Sequence, residues 1–432
     1  MKLLLLNHDW FAEDFRAAGH EVITCGFRSH LDVELTIPLL HIKNVIQSLP
    51  VKFDPDCIII HDDSAPIVIT GLEELEVPKV FYSVDAHHHT LRHRLMSRAM
   101  DHVFVAQKDY GSFFTEVGVE TEWLPLWASR EYEPSDDIHH QVVFVGNMNP
   151  KLNPERVLFF EGLAKHVPID FMQGEFWTIF PHAHIIMNQT VKGDLNFRVF
   201  EAMISGSLLL TERSDNGLLE LFTPGEHLEL YTKNDIEEAA ETIRRLLSDT
   251  KRCREIGMRG REEILLKHRS CHRAEQMLRV IESLEYKPKD HSVYPYVVNA
   301  EWLTRRLLTI RSEFVPIAAR SGAHLIRKAL NNREPLDSET GMYVAYSLLE
   351  YYRQTGDGEV EVLFEELAQR FPDILIFKIC QVWNFLNQGR EPLAKQLTLE
   401  LCDGDEERIP EAYGSFNSIV MSVLENSDEP VN

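Results

Sequence analysis

The sequence predicts an α/β protein of two tandem Rossmann-like domains facing a cleft, followed by an all-α C-terminal domain. Three observations lead there. Short, continuous Val/Ile/Leu/Phe runs alternate with helical segments, as parallel strands buried on both faces and joined by crossover helices require. The alternation stops at a polar stretch, SREYEPSDDIHH (129–140), and then begins again. Beyond residue 285 no strand-like run recurs.

In the first domain, 1–128, strands are expected at 2–7, 21–26, 57–62, 79–85, 102–107 and 121–126. The opening MKLLLLNHDW reads as a buried first strand. Its apolar run ends at Asn7 and Asp9, short of a signal peptide's core and without a small-residue cleavage site. In the second domain, 141–285, strands are expected at 141–147, 169–174, 184–190, 207–212 and 227–231, and helices at 153–166, 195–204 and 235–248. Residues 251–284 form a long charged helical stretch, broken afterwards by Pro288 and Pro295.

The third domain, 300–432, is expected to be helical. Arg305, Arg306, Arg311, Arg320, Arg327 and Lys328 make its first helix basic, whereas residues 331–432 carry 20 acidic against 7 basic side chains. Phe385, Gly389 and Leu401 follow Tyr351, Gly356 and Leu367 by 34, 33 and 34 residues, and Ala394 follows Val360 by 34. That spacing is close to a tetratricopeptide unit, and two such units need neighbouring helices to pack on. A plain helical bundle is the competing reading.

The formal charge of −24 repels nucleic acid and anionic membrane taken as a whole. No apolar stretch reaches bilayer length. Cys25, Cys57, Cys253, Cys271, Cys380 and Cys402 are far apart and form no CxxC pair, which suits reduced thiols in a cytoplasmic protein.

Chemistry concentrates at the expected carboxyl ends of strands, where open parallel sheets bind ligands. In VKGDLNFRVFEAMISGSLLLTE (191–212) a helix starts near Asp194 and Asn196 and stops at Gly206. Its free amides suit a phosphate, Arg198 adds a fixed cation, and Glu201 can accept both hydroxyl hydrogens of a ribose. In VVFVGNMNPKLNPERVLFF (142–160) Gly146 allows backbone to approach a phosphate, with Lys151 and Arg156 close by. Asn188 ends a strand at the same edge and is a candidate for base or sugar. In FYSVDAHHHTLRHRL (81–95), Asp85 and His87 are candidate catalytic groups facing acceptor or sugar hydroxyls; the competing reading is a solvated helix start capped by Asp85. Three consecutive histidines point in different directions, so no metal site is expected. His8 and Asp9 follow the first strand, and without GxGxxG there a dinucleotide cofactor is not supported.

NFRVFEAMISGSLLLTE resembles the donor-binding helix of retaining family-four glycosyltransferases. It is especially similar to the CgeB-like branch with its R-x-x-E-A-x-x-x-G-x-x-x-L pattern. ELFTPGEHLELY (220–231) and RGREEILLKHRSCHRAEQML (259–278) resemble the same branch. The resemblance covers 141–284 and implies the GT-B fold, a nucleoside-diphosphate sugar as donor (UDP-, GDP- or dTDP-linked) with no further cofactor, and retention of configuration. It implies that Glu201 holds the ribose and that a basic residue pairs with the diphosphate, Arg156 fitting the spacing better than Lys151. A second family glutamate, with seven residues between it and Glu201, falls on Gly193, and Asp194 is adjacent. The expected function is therefore metal-independent glycosyl transfer to a glycan or protein acceptor, with a protein partner conceivable for the helical domain. The alternative is a nucleotide-sugar or partner binding module with weak or absent turnover, and an epimerase of the same fold ranks below both.

Overall fold

The computed structural model describes residues 1–35, 40–49, 53–62, 69–288, 297, 300, 315–331 and 336–405. The chain divides into two units. The first comprises Met1–Glu34, Phe53–Ser64 and Glu76–Lys287; the second comprises Leu35–Lys52, Ala65–Leu75 and Pro288–Asn432.

The first unit holds two parallel sheets, each with flanking helices. Its first sheet contains β1 (Lys2–Leu6), β2 (Glu21–Gly26), β3 (Val33–Glu34), β5 (Cys57–His61), β7 (Lys79–Ser83), β8 (His102–Val105) and β9 (Glu120–Trp123), in the order β3-β2-β1-β5-β7-β8-β9. Leu4 pairs with Ile23 on one side and Ile58 on the other, which is why β1 is apolar throughout. The chain winds outward from β1 in one direction and restarts at β5 in the other. A crevice therefore opens between the loops that follow these two strands. Asn7, in left-handed backbone, ties the two loops by donating its side-chain amide to the His61 carbonyl at 2.8 Å. Helices α1 (Ala12–Ala17), α3 (Ala86–Ser97) and α4 (Gly111–Thr115) belong to this half.

The second sheet contains β10 (His140–Val145), β11 (Asp170–Met172), β12 (Ala183–Asn188), β13 (Leu208–Glu212) and β14 (Glu229–Tyr231), in the order β11-β10-β12-β13-β14. Its switch point lies between β10 and β12. The helices here are α5 (Pro154–Leu163), α6 (Phe176–Ile179), α7 (Phe197–Ile204), α8 (Leu218–Leu221), α9 (Ile236–Leu247), α10 (Thr250–Lys267) and α11 (Ser270–Ile281). The long helical stretch expected at 251–284 is thus two helices. The break falls where the His268 carbonyl accepts the Ala128 amide at 3.0 Å instead of continuing the helix. One apolar core links the two halves, running from Leu3 and Phe15 through Trp127 to Phe200 and Met277. Gln107 reinforces the junction: its side-chain oxygen accepts from the Leu195 amide at 2.8 Å and from the Asn216 side chain.

The second unit pairs β4 (Leu40–His41) with β6 (Ile69–Thr70) and includes α2 (Ile42–Gln47). These are excursions from the first half of the chain that sequence reading left as connections. Its described residues also form α12 (Val315–Asn331), α13 (Ser338–Thr355), α14 (Glu359–Arg370), α15 (Leu375–Asn387) and α16 (Glu391–Leu401). These helices bury Ile326, Leu348, Phe364, Phe377 and Val382 in a core of their own. Gly356 and Gly389, the repeating glycines, end α13 and follow α15, so each stands between the two helices of a pair. Of the basic residues expected on the first helix, Arg305, Arg306 and Arg311 lie outside the described residues. Among the described residues no helix is long and apolar enough to cross a membrane.

Candidate active site

The loop leaving β12 returns into α7 at Asn196, whose extended backbone marks the helix start. Arg198 follows in the first turn. Its guanidinium donates to the Asn188 side-chain oxygen at 2.8 Å, and Asn188 in turn donates to the Thr211 hydroxyl at 3.0 Å. The buried end of β12 thereby sets the direction of the cation. Arg156, from the first turn of α5, donates to the Gln189 carbonyl at 3.0 Å. Both guanidiniums lie over the Phe144 ring, Arg198 at 4.9 Å and Arg156 at 5.6 Å from its centroid. Gly146 makes that approach feasible, because a Cβ there would stand 2.7 Å from Arg198 Nη2 and 2.9 Å from the Phe144 ring. Burial, with the neighbouring Arg156 charge adding to it and Glu201 and Asp194 opposing, lowers the Arg198 pKa to about 10. Two like charges held together out of water in this way favour an anion between them.

Two carboxylates complete the group. Glu201, one turn along α7, accepts from the Ser129 hydroxyl at 2.8 Å. Its pKa is raised by burial, with Ser129 and Arg198 opposing the rise. Asp194 is buried and accepts from the Val191 amide. Burial pushes its carboxyl up to about 6 against that hydrogen bond, and Asp85 adds to the rise. Gly146, Arg156, Asp194, Asn196, Arg198 and Glu201 line one cavity of about 640 Å³ at the carboxyl edge of the second sheet. Arg156 Nε and Asn196 Oδ1 are buried there without a hydrogen-bond partner.

A second cavity, of about 230 Å³, shares Asp194, Asn196 and Phe197 with the first and is otherwise walled by the first domain, through His8, Trp10, Asp62 and Asp85 among others. The His8 ring stacks on Trp10 at 4.0 Å and 14°. Asp62 accepts from the backbone amides of Val84 at 3.1 Å and Asp85 at 2.7 Å and faces His93 Nε2 at 3.3 Å. Burial would raise its pKa, but His93 and the Asp85 amide outweigh burial and hold it well below the usual carboxylate range. His93 also bonds the Ser83 hydroxyl at 2.8 Å, and Ser83 is fully buried. This Ser-His-Asp alignment therefore offers no exposed nucleophile; it orients Asp62.

The structure brings together Gly146, Arg156, Asp194, Asn196, Arg198 and Glu201, and sets Asp85 on the adjoining wall. Three expected residues stand elsewhere. Lys151 is exposed on the loop before α5 and does not line either cavity. Asn188 is wholly buried, its side chain is held by Thr211 and Arg198, and it lines neither cavity. His87 is also buried off both walls. Its ring packs on His88 at 4.1 Å, and burial lowers its pKa to about 3. Asp85 makes no side-chain cap for α3. Among the described residues the His87–His89 run gathers no cluster of three ligand atoms. Gly193 has φ +78, left-handed backbone that a glutamate side chain would strain.

Residues 142–279 match the family model described as glycosyl transferase-like. That stretch runs from β10 into α11 and contains every cationic residue of the larger cavity. No curated protein matches the chain. Among solved structures the chain is similar to HepE of Anabaena in complex with UDP-glucose, at 15% identity and TM-score 0.48 over 66% of this chain and 100% of that one. It is similar to the sucrose-phosphate synthase of Thermosynechococcus elongatus, at 14% identity and TM-score 0.45 over 65% and 98%. A third is the pneumococcal O-GlcNAc transferase GtfA in complex with UDP and GlcNAc, at 12% identity and TM-score 0.39 over 52% and 56%.

Sequence reasoning missed Asp62, Trp10, Gln107 and Ser129. Asp62 and Gln107 end predicted strands, as Asp85 does, so position at the strand end was the available signal. Ser129 sits in the polar linker, where nothing local marks its bond to Glu201.

Proposed function

We propose that the chain is a glycosyltransferase that moves a sugar from a nucleoside diphosphate donor to a glycan or protein acceptor. One observation carries the reading. Arg156, Arg198, Glu201 and the amino end of α7 converge on a single cavity at a strand switch, within the glycosyl transferase-like stretch. In this reading Glu201 accepts the ribose hydroxyls, and the diphosphate lies between the two guanidiniums and Asn196. Charge develops on the diphosphate as the anomeric bond breaks, so fixed cations there stabilise the transition state beyond the ground state. Asp85, with Asp62, His8 and Trp10, faces the transferred sugar and the acceptor. The guanidiniums supply the positive charge, and we take the route to be metal-independent. The resemblance to the CgeB-like branch supports retention of configuration. The six cysteines are far apart in the sequence and form no CxxC pair, in keeping with the cytoplasm.

Gly193 favours a second reading, a binding module with little turnover, because the family glutamate is missing there. Incubation with UDP-, GDP- and dTDP-sugars separates the two. Release of nucleoside diphosphate supports the transferase, and tight binding with no release across donors and acceptors supports the module. For the second unit we propose an acceptor- or partner-recognition role built on tetratricopeptide-like helix pairs. A chain ending at Leu330 that still releases nucleoside diphosphate but loses transfer to its natural acceptor supports that role. An insoluble product points to a structural part of the fold.

A further inference from the structure

Asp137, His139 and His182 meet at the amino edge of the second sheet. Asp137 and His139 precede β10, and His182 precedes β12. Their ligand atoms, one from each side chain, all lie within 4.8 Å of one another. The two imidazole rings are nearly parallel, 4.8 Å apart at 8°, and the Asp137 carboxylate lies 3.0 Å from His139 Nε2. We propose that these three residues bind a divalent transition-metal cation of the zinc type.

The arrangement around His182 is the strongest support. Its Nδ1 bonds the Asp137 backbone carbonyl at 2.7 Å. That contact sets the tautomer and leaves Nε2 as the lone-pair nitrogen. Metal-bound histidines are oriented by the same kind of carbonyl contact. The backbone is fixed as well, since the His139 amide donates to the His182 carbonyl at 2.8 Å. The His139 and Asp137 side chains are 56% and 77% exposed, so both can draw in to metal-bond length without repacking. Two imidazoles and one carboxylate suit zinc and its first-row neighbours and are a poor match for magnesium or calcium, which take oxygen ligands.

The position assigns the role. The donor cavity is at the opposite, carboxyl edge of the same sheet, so a cation here takes no part in glycosyl transfer. It cross-links the linker between the two Rossmann-like halves to the segment that opens β12, and so steadies the point where the second half is hung.

Calorimetric titration of chelator-treated, tag-free full-length protein with Zn²⁺ tests it. The expected result is one equivalent bound and a raised unfolding temperature that excess chelator reverses. Affinity should fall at least tenfold in His182→Gln and be lost in the His139→Gln/His182→Gln double variant, while His88→Gln binds as the parent does. If the double variant fails to fold, Asp137→Asn, on the exposed linker, asks the same question and should also weaken binding. Absence of stoichiometric binding in the parent, or binding unchanged in these variants, overturns the proposal.

Discussion

The carboxyl edges of the two parallel sheets each open at a strand switch but present different chemistry. In the second sheet two guanidiniums and a helix amino end face a cavity, with an orphaned Asn196 oxygen and Arg156 Nε still to be satisfied. In the first sheet the edge carries aspartates and a stacked His8–Trp10 pair, and Asp62 is already held by two backbone amides and a histidine. A pair of buried guanidiniums suits a diphosphate, and carboxylates with aromatic faces suit hydroxyls and the apolar faces of sugars. On the proposed function, the second edge holds the charged leaving group and the first edge the acceptor.

If that division is right, the largest loss comes from the cationic edge. Arg198→Ala should lower turnover by about 100-fold or more, the usual cost of removing one preorganised charge-stabilising donor. Arg198→Lys keeps the charge but not the planar fork, and should still cost at least about tenfold, on the order of 1.4 kcal/mol. Steady-state release of nucleoside diphosphate measures both. Turnover unchanged in either variant breaks the comparison at its centre.

The next effect separates binding from chemistry within the same edge. Glu201→Ala should weaken nucleoside diphosphate binding by about 1–3 kcal/mol, the range for losing a charged hydrogen-bond partner. Calorimetry on the folded variant reads it directly. An unaltered affinity removes Glu201 from the ribose site and leaves it as an anchor for Ser129.

The two edges also differed in how far they could be read in advance. The α7 residues were legible because charge, helix start and spacing all lie in one continuous segment, and a helix periodicity fixes which side chains share a face. Arg156 was preferred to Lys151 on spacing alone, and the buried ring of Phe144 that holds it was not visible. On the first edge the cavity walls come from separate loops brought together by the β1–β5 switch, so Trp10 has no local mark and Asp62 only its place at the end of a strand. His87 looked available because a run of histidines is polar, yet tertiary packing buries it and leaves it off both cavities. The excursions at β4 and β6 escaped notice for a related reason. Two-residue strands have no period to detect, and their partners lie elsewhere in the chain.

A smaller effect tests the first edge by itself. Trp10→Ala should raise the acceptor or donor-sugar KM by a few-fold, about 1 kcal/mol for the loss of an aromatic face. Binding of the free nucleoside diphosphate should stay as it was. A variant that loses nucleotide affinity instead shows that the two edges are not separable.

The smallest effect concerns Asp194, which lines both cavities. Burial, with Asp85 adding to it, pushes this carboxyl up to about 6. A nucleotide sugar's diphosphate is a diester and keeps its charge through this range, so any pH dependence near 6 belongs to the protein. Above about 6 Asp194 is ionised and opposes the diphosphate; below it the group is neutral. Donor affinity should therefore rise as pH falls from 7.5 to 5.5, by about 0.7 kcal/mol or roughly threefold for one partly screened charge. The linkage to stability has a definite sign. A carboxyl raised in the folded state contributes fully below its ordinary value of 3.8 and loses that contribution as pH rises through about 6. Asp194→Asn should flatten the affinity profile and remove this part of the pH dependence of unfolding. Calorimetry at pH 5.5, 6.5 and 7.5 on parent and variant decides it: a flat profile in the parent, or a slope that survives in Asp194→Asn, assigns the titration to another group and leaves Asp194 with a purely structural bond to Val191.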